Sequence, residues 1–80
     1  MKRQKPQLRV TLDKAANAAY IYLTSIRPGG VACSFPLDTE EIRAWVVVDF
    51  DESGRLLGVE VLDASNRLPQ DLLDSAEVIC

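Results

Sequence analysis

The chain has 80 residues, 48% hydrophobic and 26% charged, which is the composition of one small globular domain and excludes a disordered or fibrous chain. Nine Lys and Arg oppose twelve Asp and Glu; four of those cations (Lys2, Arg3, Lys5 and Arg9) fall in the first nine residues, which leaves five against all twelve acids in the rest. Such a body repels phosphate backbones, so no nucleic acid is expected as a partner, and a basic protein suits it better. There is no histidine, which excludes Ser-His-Asp and Cys-His catalysis and His-ligated zinc within one chain.

Residues 1–7 read as a flexible basic leader and residues 8–80 as a single small β-rich domain. Leu8, Val10 and Leu12 alternate with Arg9 and Thr11, the period-two pattern of a half-buried strand. Asp13 to Asn17 predict a tight turn or a single helical turn, and the run Ala18 to Thr24, with Tyr20, Ile21 and Tyr22, predicts a second strand in a hairpin with the first. Arg27-Pro28-Gly29-Gly30 breaks the chain. A short third strand follows over Val31 to Phe35, stopped by Pro36 and placed near a sheet edge because proline cannot donate to the ladder. Ala44 to Phe50 and Leu56 to Leu62 predict two further strands, joined by Asp51-Glu52-Ser53-Gly54, where Gly54 supplies a positive φ. Leu68, Leu72, Leu73 and Ala76 then fall on a helical face, with Pro69 in the first turn and Asp71 near the positive end. The expected fold is α+β, an antiparallel β-meander of five strands with one C-terminal helix.

In the simplest register of the central hairpin, Asp51 pairs with Arg55, Phe50 with Leu56, Asp49 with Leu57, Val47 with Val59 and Trp45 with Val61. One face then carries Trp45, Val47, Leu57, Val59 and Val61; the other carries Val46, Val48, Phe50, Leu56 and Leu62, broken by Gly58 and Glu60. Both faces are largely apolar, yet one helix can cover only one of them. The second face needs the N-terminal hairpin, a second copy or another protein. The reading is a non-enzymatic association module and homodimer, with an interface at Trp45, Val47, Val59, Val61 and Glu60 and a hot spot at Trp45.

Asp49-Phe50-Asp51-Glu52-Ser53-Gly54 followed by Glu60 matches the spacing of a calcium-binding helix-loop-helix motif, and an alternative reading is a metal or ligand site on Asp49, Asp51 and Ser53. The β-branched flanks oppose it, and in that register Glu60 pairs near Val46 and points away from Asp49. No cofactor is expected. Cys33 and Cys80 lie outside any CxxC spacing and read as reduced thiols of a cytoplasmic protein. The longest uncharged run, Ala15 to Ile26, is about twelve residues, too short for a membrane span.

The blocks Asp13-Lys-Ala-Ala-Asn-Ala-Ala-Tyr20-Ile21-Tyr22-Leu23, Val48-Asp49-Phe50-Asp51-Glu52-Ser53-Gly54 and Gly58-Val59-Glu60-Val61-Leu62-Asp63-Ala64-Ser65 together resemble a family of small bacterial and archaeal proteins catalogued as a domain of unknown function, numbered twenty-two eighty-three. The resemblance spans Leu8 to Leu68 and departs at Asn17, where the family usually carries Asp, and at Thr11-Leu12, where a Tyr often precedes the residue matching Asp13. It implies no catalytic residues. Similar proteins look like the small partners of toxin–antitoxin-type gene pairs, which implies an antitoxin-like role in neutralising a basic partner.

Overall fold

The computed structural model describes residues 8–41 and 43–80, so the expected leader over residues 1–7 lies outside the described residues. The chain folds as α+β, a six-stranded sheet with two short helices near its C-terminal end. The strands are β1 (Arg9–Asp13), β2 (Ala18–Tyr22), β3 (Cys33–Leu37), β4 (Val46–Phe50), β5 (Leu56–Leu62) and β6 (Glu77–Val78). Helix α1 spans Ala64–Arg67 and α2 spans Gln70–Ser75.

The spatial order is β3-β4-β5-β2-β1-β6. The expected meander is therefore corrected: β2 pairs with β5, not with β3, so β2 to β5 follow the order of a Greek key. The sheet is also mixed, since β6 adds to β1 in parallel while the other pairs are antiparallel. The single expected helix is two, with Pro69 at the N-cap of α2. Strand β3 runs on through Pro36 to Leu37, tolerated because it lies at the sheet edge.

The hairpin β1–β2 extends the sheet and does not fold over it. Its turn is held by Asp13, whose Oδ1 accepts the Ala16 N–H at 3.0 Å, and by Asn17 at φ 52°, a left-handed conformation that asparagine tolerates better than most residues. The β4–β5 turn closes with the Gly54 N–H on the Asp51 carbonyl at 3.0 Å and the Asp51 N–H on the Arg55 carbonyl at 2.9 Å. Gly54 has φ 85°, the left-handed residue that follows a type I turn in such a loop.

Beyond that turn the register departs from the simplest one. Phe50 does pair with Leu56, but Asp49 then pairs with Gly58, Val48 with Val59, Val47 with Glu60 and Val46 with Val61. One extra residue, Leu57, is accommodated in β5 as a β-bulge, and its side chain is buried. Every residue beyond the bulge changes its neighbours, because a one-residue slip exchanges the two faces.

One face of the sheet carries Leu12, Ala19, Val61, Val46 and Leu37 in a single row, followed by Val10, Ile21, Val59, Val48 and Phe35 in the next. Leu12 and Ala19 form the core with Ala64, packed against Leu68, Leu73 and Ala76 from the helical segment. The helices thus cover the β1–β2 end of this face. Among the described residues no large side chain is fully buried, and none of the helices is long and apolar enough to cross a membrane.

Candidate functional site

The opposite face is a polar and aromatic ledge. Its rows run Thr11, Tyr20, Glu60, Val47 and Pro36, then Arg9, Tyr22, Gly58, Asp49 and Ser34. At its centre Asp49, 9% exposed, accepts hydrogen bonds from the Tyr20 hydroxyl and the Ser34 hydroxyl, each at 2.6 Å. Both lengths are those of strong bonds to an ionised acceptor. The three groups come from β2, β4 and β3, so the cluster ties the N-terminal hairpin to the far edge strand across β5.

Gly58 makes this reach sterically open. A Cβ there would collide with the Tyr20 ring and stand 2.6 Å from its hydroxyl oxygen, so the bare glycine is the floor over which the ring passes from β2 to Asp49. Burial, and then the bond to the Asp49 carboxylate, hold the Tyr20 phenol well above its ordinary titration range. The ring also packs against Tyr22 at 4.6 Å between centroids. The Arg9 guanidinium lies 5.3 Å from the Tyr22 centroid and grips Glu77 through two hydrogen bonds of 3.0 and 3.1 Å. That pairing raises the Arg9 pKa and lowers that of Glu77.

A second cluster fixes the helices. The Asn17 amide donates to Asp63 at 3.3 Å and to the Ser65 hydroxyl at 3.0 Å, and its Oδ1 accepts the Ser65 N–H at 3.0 Å. Asparagine at position 17 offers a donor and an acceptor together, which a carboxylate cannot. Arg67 lies 4.4 Å from the centroid of Trp45 and 3.7 Å from Asp63.

The residues singled out as an interface are divided by the bulge. Val59 and Val61 lie on the helix-bearing face beside Val48 and Val46, whereas Val47 and Glu60 pair on the polar ledge. Trp45 precedes β4 and lies under Arg67. Glu60 sits between Tyr20 and Val47 on the same face as Asp49, two positions along β5 from Gly58, which corrects the expectation that it pairs near Val46 and faces away from Asp49.

The three residues of the metal alternative are also separated in role. Asp49 is engaged by Tyr20 and Ser34, while Asp51 Oδ1 accepts from the Ser53 N–H at 2.9 Å, the Ser53 hydroxyl at 2.7 Å and the Arg55 N–H at 2.9 Å. Those donors lower the Asp51 pKa, the Arg55 backbone first. Among the described residues no three Asp, Glu, Cys or His side chains converge as a metal would need. Cys33 and Cys80 are free and exposed.

Sequence reasoning missed Tyr20 and Ser34 as partners of Asp49. The available signal was Gly58 itself, an isolated glycine inside an apolar strand, which marks a close approach by another group.

A family model described as "Protein of unknown function (DUF2283)" matches residues 9–65. That span holds β1 to β5 and the whole Tyr20–Gly58–Asp49 cluster, and the chain belongs to this family. No curated protein and no solved structure matches it.

Proposed function

We propose that the protein is a non-enzymatic association module that forms a homodimer through the part of its apolar sheet face the helices leave open. The observation that carries this reading is the exposure gradient along that face. Leu12 and Ala19 are buried under the helical segment, whereas Val46 and Val48 are half-covered and Phe35 and Leu37 at the far edge are 53% and 39% exposed. Phe35 packs edge-on against Phe50 at 5.9 Å between centroids, so the open part is a contiguous apolar surface with an aromatic pair. Surfaces of that kind on small proteins mark association sites, and aromatic residues at their centre carry much of the binding energy. The aromatic anchor of this reading is Phe35 with Phe50, in place of Trp45.

The acidic body supports a further role in binding a basic protein, as an antitoxin-like neutraliser would, with charge steering the encounter. The cytoplasm is the compartment that suits two free, exposed cysteines.

The test is sedimentation equilibrium of the wild type and Phe35→Asp. Phe35 is exposed on an edge strand, so its loss leaves the monomer folded. The wild type is expected to dimerise at about 10 µM and Phe35→Asp to stay monomeric at about 100 µM. A wild type that is monomeric throughout that range, or a variant that dimerises equally well, overturns the reading.

A further inference from the structure

We propose that the cleft between the β2–β3 connection and the start of β5 binds a phosphate monoester carrying an apolar substituent. This cleft, about 350 Å³ in volume, is lined by Arg27 and Arg55 together with Thr24 and Ser25. Leu56 and Leu57 supply its apolar lining.

The acidic body holds few cations beyond Arg9, namely Lys14, Arg27, Arg43, Arg55 and Arg67. Arg67 is engaged by Asp63 and Trp45, and Arg43 donates to the Glu40 carbonyl. Arg27 and Arg55 make no salt bridge among the described residues, and both line this one cleft. Against the single carboxylate Asp51, on which the Arg55 charge already acts, the two guanidinia leave an excess of positive charge in a lining that also holds Thr24 and Ser25, the donor chemistry that a phosphate's oxygens match.

The backbone under Arg27 is fixed. The Gly30 N–H donates to the Arg27 carbonyl at 2.8 Å, Pro28 follows Arg27, and Gly29 has φ 74°. This is the signature of a type II turn, with proline second and glycine third. A rigid turn presents Arg27 with less ordering to offset on binding. The one carboxylate in the lining, Asp51, has its Oδ1 saturated by Ser53 and Arg55 donors. The two guanidinia therefore outnumber it. Inorganic phosphate would use only the charged half of the cleft, whereas a monoester with an apolar group would also cover Leu56 and Leu57. Leu56 is the cross-strand partner of Phe50, so the site borders the Phe35 surface, but its charged half, with Arg27, Thr24 and Ser25, lies outside that surface, and neither proposal depends on the other.

The experiment is titration calorimetry of the full chain with phenyl phosphate and with inorganic phosphate, accompanied by amide chemical-shift mapping on the wild type. Phenyl phosphate is expected to bind saturably and more tightly than inorganic phosphate, with shifts centred on Thr24, Ser25 and Leu57. Each of Arg27→Gln and Arg55→Gln is expected to weaken it about tenfold, the loss of a charge-assisted hydrogen bond, while Arg67→Gln leaves it unchanged. Shifts elsewhere, equal affinity for the two probes, or undiminished binding in Arg27→Gln with Arg55→Gln overturns the proposal. The mapping needs no variant, so it decides the matter even where a substitution disturbs folding.

Discussion

Gly58→Ala is the most informative single change, because it acts on the ledge without removing any polar group. The added Cβ occupies the space of the Tyr20 ring, and the half-buried ring can yield only by swinging toward solvent. Asp49 then keeps Ser34 and loses its second donor. The loss of a hydrogen bond to a charged acceptor costs about 1.5–3 kcal/mol, and residual crowding falls in the range of about 1–3 kcal/mol seen for overpacking. Tyr20→Phe removes the same bond directly, so the two substitutions must be sub-additive. The double variant should lie within about 1 kcal/mol of the worse single one. Urea denaturation of the four proteins gives the cycle, and each kcal/mol corresponds to roughly 4–8 °C in Tm for a domain of this size. Full additivity, or Gly58→Ala as stable as the wild type, would refute the argument that Gly58 exists to let Tyr20 reach Asp49.

The same phenol predicts an alkaline limb. Its folded pKa lies above the ordinary 10.0, so the native state holds the proton more tightly than the unfolded chain; the contribution is complete below that value and is lost as pH rises through the folded pKa. Tyr20→Phe should flatten that limb, read as Tm against pH. Asp51 works in the opposite direction: its folded pKa is lowered, so its contribution is present above the normal carboxylate range and lost as pH falls through the folded value. Asp51→Ala should therefore lower Tm at pH 7 and converge on the wild type in acid; a constant difference across pH would count against the turn's hydrogen bonds as the cause. Leu12→Ala removes a large core side chain that is 8% exposed and should cost about 2–4 kcal/mol by denaturation, whereas a cost under about 1 kcal/mol would place the core elsewhere.

Much of the fold was legible because it depends on short-range patterns. The alternation through Leu8, Val10 and Leu12, the β-branched runs around Val47 and Val59, and the Gly54 turn each declare a strand or a reversal through local chemistry. The order of strands is a different matter, since nothing in residues 18–22 states that they pair with 58–62 across the two intervening strands β3 and β4. The bulge at Leu57 was illegible for a related reason. It adds one residue, changes no propensity, and yet moves Val47 and Glu60 to one face and Val59 to the other. The interface built on the simplest register therefore mixed residues from both sides. Strand β6 is too short to carry a period at all. Its place beside β1 depends on long-range bonds such as the Ile79 N–H to the Leu12 carbonyl at 2.9 Å.

The two faces differ in what they leave unfinished, and this difference bears on stability as well as on association. On the ledge, Asp49, Tyr20 and Ser34 satisfy one another, and no buried polar side-chain atom among the described residues lacks a partner. On the apolar face the interior is small: among the described residues, Leu12, Ala19, Val61 and Ala64 are the hydrophobic residues buried there. A chain of this length has a narrow margin over its conformational entropy. If the open part of that face is closed by a second copy, assembly binds only the native state and must raise apparent stability with concentration. Raising total protein from ten to a thousand times the dimer dissociation constant should then add roughly 1–3 kcal/mol, a shift of several degrees in Tm. Phe35→Asp should unfold at a concentration-independent temperature. A wild type with a Tm equally indifferent to concentration would mean that the surface of exposed Phe35 and Leu37 and half-covered Val48 is tolerated by the monomer and that its stability comes from the helix-covered end and the ledge alone.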